Sequence, residues 1–186
     1  MAYYRRHLPH WQPQNKPLFV TWRLHGSLPR GCEPPAGLSA GFAFRWIDRK
    51  LDAAANGPVW LARHDVAAVV EEAIHYGEET LARYRLFAYV VMANHVHVLL
   101  EPGEALSVAM KTLKGYTARR ANAILNRRGQ FWQRESLDHW VRSEAELRRI
   151  AAYIENNPVK AGLVPRPEDY RWSSAYGRAS RQACPV

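Results

Sequence analysis

Two histidines separated by one residue, His95 and His97, sit in an apolar run with Val96, Val98, Leu99 and Leu100. On a β-strand, side chains alternate between faces, so both imidazoles point the same way. Paired imidazoles can offer two nitrogens to one metal ion. By itself His-x-His is a short pattern, equally compatible with two hydrogen-bonded histidines on a strand face. The preceding stretch, Leu86-Phe87-Ala88-Tyr89-Val90-Val91, is strand-like too. A single strand over 86–100 would far exceed the usual ~5–6 residues. The chain is therefore expected to turn near Ala93-Asn94, with the histidines opening the second strand of a hairpin.

The elements that position this hairpin can be read on either side of it. Residues 3–16 are basic and aromatic, interrupted by Pro9 and Pro13 and followed by Pro17, and predict an extended arm. Leu18-Phe19-Val20-Thr21-Trp22-Arg23-Leu24 reads as the first strand. Residues 29–39 carry three prolines and two glycines and read as a loop. Phe42, Trp46, Ile47 and Leu51 then form a helical stripe, and Asp65 is placed as the N-cap of a second helix. Ser107 is expected to cap a long helix running to about Asn126, with Gly129 just past its end and Gly115 in its interior. Ser143 and Glu146 form a capping box, followed by Leu147, Ile150, Ala151 and Ile154 at helical spacing, and Asn157-Pro158 stops that helix. The pattern predicts an α+β fold with an antiparallel sheet. A core over 1–130, including the arm, is expected to carry a helical extension over 131–186 packed onto it as one structural unit.

Composition narrows the partner. The 186 residues carry a net charge of +9, with 7 Trp and 9 Tyr. Excess positive charge favours a polyanion through counterion release, and aromatics beside cations can stack on unpaired bases. Cys32 and Cys184 form neither a ligand cluster nor a disulfide framework, which suits a reducing, cytoplasmic and nucleoid-associated setting. No apolar run is long enough to span a bilayer, and the first residues lack the apolar core of a secretory signal.

Taken in order, five segments resemble a known family. Val91-Met92-Ala93-Asn94-His95-Val96-His97-Val98-Leu99-Leu100 resembles the His-hydrophobic-His strand of the HUH single-tyrosine (Y1) transposases. Leu113-Lys114-Gly115-Tyr116-Thr117-Ala118-Arg119 looks like their nucleophile helix. Phe131-Trp132-Gln133-Arg134-Glu135, Asp138-His139 and the run from Tyr153 through Asn157-Pro158 to Leu163 look like the REP-associated tyrosine transposases. The resemblance implies a ferredoxin-like core and a magnesium or manganese ion on His95 and His97. It also implies a single-stranded DNA substrate with a REP-like hairpin. In that reading Tyr116 attacks a phosphodiester and leaves a 5′-phosphotyrosine and a free 3′-hydroxyl. Such enzymes take a third metal ligand about one turn after the tyrosine. Arg119 and Arg120 occupy those positions and cannot ligate, so Asn122 is the expectation, with Asn94, Gln133, Glu135 and His139 as open alternatives. Arg5, Arg6, Lys111, Lys114, Arg119, Arg120, Arg127, Arg128, Trp132 and Arg134 are the expected DNA contacts. Monomer and homodimer are both compatible with the sequence.

Two other readings compete. A zinc hydrolase would add Asp and His a few residues after His-x-His, where Val98, Leu99 and Leu100 stand. A domesticated protein that binds structured single strands without cutting them would need the same charge and aromatics. Intact His95, His97 and Tyr116 favour the enzyme.

Overall fold

The computed structural model describes residues 2–5, 9–12, 16–29, 40–52 and 57–177. Two strands, β1 (Ala2–Arg5) and β2 (Pro9–Gln12), pair antiparallel, so the expected extended arm is a small hairpin. Four further strands form the main sheet: β3 (Leu18–Arg23), β4 (Tyr84–Val91), β5 (His95–Pro102) and β6 (Leu137–Trp140). Their order is β4-β5-β3-β6, antiparallel throughout. With helices α2 (His64–Glu79) and α3 (Leu106–Ile124) as the connections β3-α2-β4 and β5-α3-β6, this is the ferredoxin-like arrangement.

Strand alternation divides the core in two. Val96, Val98 and Leu100 of β5 face the α2 and α3 side, where they join Leu18, Val20 and Trp22 with Val66, Val70, Met110 and Leu113. Phe19, Ala88, Val90 and Leu99 face the opposite side and meet Ile154, Leu147 and Ile150 of α4 (Glu144–Glu155). Helix α1 (Ala40–Asp52) also reaches this second face, and a short α5 (Asn157–Lys160) follows α4. Pro158 lacks an N–H, and the chain bends there as its sequence requires.

Several boundaries differ from the sequence reading. β6 is an edge strand of the main sheet, so the segment read as a helical extension contributes a strand to the sheet. Asp65 lies inside the first turn of α2, whose cap is Arg63, and Asp65 pairs with the Arg63 guanidinium instead. Ala105, not Ser107, precedes α3, with no side-chain cap. The expected loop over 29–39, apart from Pro29, and both cysteines lie outside the described residues. The Ser143 cap is as expected: its hydroxyl accepts from the Glu146 N–H at 3.2 Å. Among the described residues no helix is long and apolar enough to cross a membrane.

Candidate metal centre and nucleophile

The turn between β4 and β5 is tied down from three sides. Leu24 N–H donates to Asn94 O, Leu61 N–H to Ala93 O, and Met92 N–H to His95 O. The Asn94 amide donates to Leu51 O of α1 at 3.0 Å. Its carbonyl oxygen is thereby left facing His95 Nδ1 at 2.7 Å, which assigns the proton to Nδ1. His95 Nε2 is then a bare lone pair, 3.0 Å from His97 Nε2. Thr21 Oγ1 lies 2.6 Å from His97 Nδ1 and fixes that ring from the neighbouring strand. Both histidines are fully buried. Burial, and then the His97 charge, lower the His95 pKa to about 3, so it stays neutral and ligand-ready.

The third member of this cluster is Asp48 of α1, 2% exposed, with an oxygen 2.9 Å from His97 Nε2. Neither carboxylate oxygen has a hydrogen-bond donor in good geometry. Burial alone would raise its pKa; His97 chiefly, then His95 and Lys160, outweigh that and hold it below the ordinary value. One carboxylate and two imidazoles thus place a ligand atom each within 4.8 Å of one another. Ligand atoms that converge in a buried pocket fit a divalent cation, whose charge compensates for their burial. The residues fit such an ion, with Asn94 and Thr21 orienting the imidazoles from behind.

Asn122, the expected third ligand, is committed elsewhere. Its amide donates to Gly129 O and its carbonyl oxygen accepts from Arg127. His139 meets Glu146 at 3.2 Å and Gln133 meets His25 at 3.2 Å, while Asn94 supports His95 from outside the cluster. Glu135 is not part of the cluster. The sequence reading missed Asp48. The available signal was a carboxylate set between Ile47 and Leu51 on the buried stripe of α1.

Tyr116 is not brought to the histidines. Its helix packs on the Val96, Val98 and Leu100 side, so the sheet lies between. Tyr116 is instead 44% exposed in a groove with Lys111 and Arg119. The tyrosine on the histidine side is Tyr153 of α4, its ring 6.3 Å from His97 and 6.1 Å from Phe19. Lys160 places its Nζ 3.7 Å over the same ring. Four residues beyond Tyr153, Asn157 is fully buried, and both side-chain polar atoms lack a partner.

The expected DNA contacts separate into groups. Lys111, Arg119, Arg120, Arg128 and Arg134 are exposed. Arg127 lies over the Trp60 ring at 3.8 Å. Lys114 donates to Gln133 O and Arg134 O, at 2.7 and 3.1 Å, and burial lowers its pKa to about 8 against the pull of Glu135. Trp132 is a core residue, not a free stacking platform: it packs edge-on against Trp22 and donates Nε1–H to Thr117 at 2.9 Å. Arg6 lies outside the described residues, and Arg5 is described only as a backbone partner of Pro9.

The chain is an α+β protein with an antiparallel ferredoxin-like sheet, one face of which carries a buried His-His-Asp cluster that could hold a metal ion. Residues 60–157, a little over half of the chain, match the family described as "Transposase IS200 like", and the chain belongs to that family. Asp48 lies outside the matched segment. A Haemophilus influenzae protein named as a REP-associated tyrosine transposase is 28% identical over 112 residues, 54% of this chain and 60% of that relative. The chain therefore spans less than two thirds of that relative's length. A solved structure of a REP-associated tyrosine transposase bound to a REP hairpin shares the fold, at 18% identity and a TM-score of 0.56, covering 100% of this chain and 89% of that one. A solved Deinococcus radiodurans transposase aligns over 76% of this chain and 89% of its own, at 19% identity and a TM-score of 0.37.

Proposed function

We propose that this protein nicks and rejoins single-stranded DNA carrying a REP-like hairpin, with Tyr153 as the nucleophile. The observation that carries the reading is the position of Tyr153 beside His97, on the sheet face that holds His95 and Asp48. The Tyr153 oxygen attacks a backbone phosphorus and the bond to the 3′ oxygen breaks. The products are a 5′-phosphotyrosine and a free 3′-hydroxyl, which takes up the phenolic proton in the balance of the step. The reverse attack by a 3′-hydroxyl restores a phosphodiester, because the covalent link conserves the bond. Lys160 sets a positive charge beside the ring as negative charge develops.

His95, His97 and Asp48 would hold a magnesium or manganese ion, which when bound supplies charge compensation at a phosphate oxygen. Asn157 stands one turn after Tyr153, where related enzymes place a further ligand, and its unpartnered amide is the donor for that position. All of these groups belong to one chain, so the set is complete without a second subunit. The names of its relatives bring the REP hairpin into this reading, and the net charge of +9 supports a nucleic-acid substrate.

The test is a denaturing gel of protein incubated with single-stranded hairpin DNA and manganese. A covalent adduct is expected from wild type and from Tyr116→Phe, and none from Tyr153→Phe. An adduct that survives Tyr153→Phe refutes the assignment. Tight binding with no adduct from wild type would favour the non-cutting, domesticated reading.

A further inference from the structure

The groove that holds Tyr116 has no part in that chemistry. Between Glu104 and Glu135 the chain carries seven lysines and arginines and no carboxylate. Within that stretch, Lys111, Arg119 and Arg120 are exposed on α3 and Tyr116 projects among them. Gly115 beside it is open: a Cβ there would meet only the Arg119 side chain, at 3.7 Å. The helix backbone is thus accessible next to an exposed aromatic ring. The groove measures about 1610 Å³, beyond the ~300–1,000 Å³ of small-molecule sites. The carboxylates that line it, Glu72, Glu135 and Asp138, come from α2 and from the segment after α3.

We infer that the outer face of α3 is a second DNA surface, separate from the catalytic centre, which grips an unpaired stretch of single-stranded DNA. Tyr116 stacks on one base, Lys111 and Arg119 pair with flanking phosphates, and Gly115 lets the strand approach the helix. An exposed ring between cations fits unpaired bases, whose faces are open, rather than a duplex stem. Because the sheet separates this face from His95 and His97, gripping and cutting are separable. The inference rests on the single-stranded DNA substrate proposed above, but its test leaves out the metal centre.

The probe is a fluorescent oligo-dT, titrated in chelator and followed by anisotropy. Tyr116→Ala is expected to weaken binding about tenfold, within the range for loss of one base–aromatic stack. Tyr116→Phe, which keeps the ring, should bind like wild type. The Lys111→Ala/Arg119→Ala double variant should lower the slope of log K against log salt by about 1.4, two phosphate contacts at ~0.7 each. Unchanged affinity in Tyr116→Ala, a Phe variant as weak as Ala, or an unchanged slope would each overturn the inference. So would sedimentation showing that Tyr116→Ala breaks a dimer while oligo-dT binding holds, which would assign the groove to a second copy. Loss of the stacking effect with the covalent adduct intact refutes only this surface. Loss of the adduct with stacking intact refutes only the nuclease reading.

Discussion

Asp48→Asn should remove most of the stability that a bound metal ion confers. In the metal-free protein the carboxylate is 2% exposed, and His97 at 2.9 Å, with His95 and Lys160, outweighs the cost of its burial. Asparagine keeps the volume and removes the charge. Because the folded-state pKa is lowered, the charge contributes stability above the unfolded pKa, and the chelated variant should be somewhat less stable than wild type at neutral pH. With metal at a hundred times its Kd, wild type gains about 2.7 kcal/mol. For a chain of this size each kcal/mol shifts the melting temperature by ~2–4 °C, so the expected rise is about 5–11 °C. If the carboxylate is worth a hundredfold in affinity, the same metal concentration equals the variant's Kd. The gain then shrinks to RT ln 2, about 0.4 kcal/mol, a shift of roughly 1 °C. The assay is thermal unfolding with manganese titrated against chelator. A full-sized metal shift in Asp48→Asn, or none in wild type, would refute the assignment of the cluster.

Two glycines should respond with opposite signs. At Gly77 a Cβ would lie 2.2 Å from the buried Tyr84 hydroxyl, itself held by Ile74 O, so Gly77→Ala should cost about 1–3 kcal/mol by overpacking. Gly115→Ala meets open space inside a helix and should gain about 0.5–1 kcal/mol; urea unfolding reads both. Trp132→Ala should lose about 3–5 kcal/mol in the same assay, as a core residue does. Tyr170 donates its hydroxyl to Val91 O, and burial raises its pKa to about 12. The native state keeps that proton while the unfolded chain loses it from about pH 10, so this stability is present below pH 10 and is lost between about 10 and 12. Wild type should therefore lose stability more steeply than Tyr170→Phe over that window, and parallel curves would refute it.

The hairpin, the shared face of the two histidines, the α+β class and the Ser143 cap were legible because each rests on local periodicity or capping chemistry. The proposed nucleophile was not, and the reason lies in Leu137–Trp140. This strand has four half-buried residues and little β-branched character, so it reads as linker. Without it, α3 looks like the helix that follows the last strand. With it, α3 becomes a β-α-β connection, which packs on the same face as α2, and the histidine face is left to the helix after β6. In the proposed reading, two tyrosine-bearing helices exchange roles through a single missed strand. Asp48 was illegible for a different reason. Its distance from His97 in sequence follows no motif, and only its place on the buried side of α1 marks it.

In that reading the residues after β6 are part of the site rather than an appendage to it. One sheet face is closed by α2 and α3 through apolar packing, while on the other α4 brings Tyr153 beside His97. The chain after α5 holds that helix in place. Ser173 bridges Val90, and Val91 N–H and Ser174 N–H exchange bonds with Trp172 O and Tyr89 O, so the segment covers the β4 edge. Ser174 also donates to Glu155 of α4 at 2.9 Å, and Arg171 pairs with Glu71 of α2 at 2.9 Å. One strap thus links the edge strand to a helix on each face of the sheet. The position of the tyrosine relative to the imidazoles is set by this clamp as much as by the strand that carries the histidines.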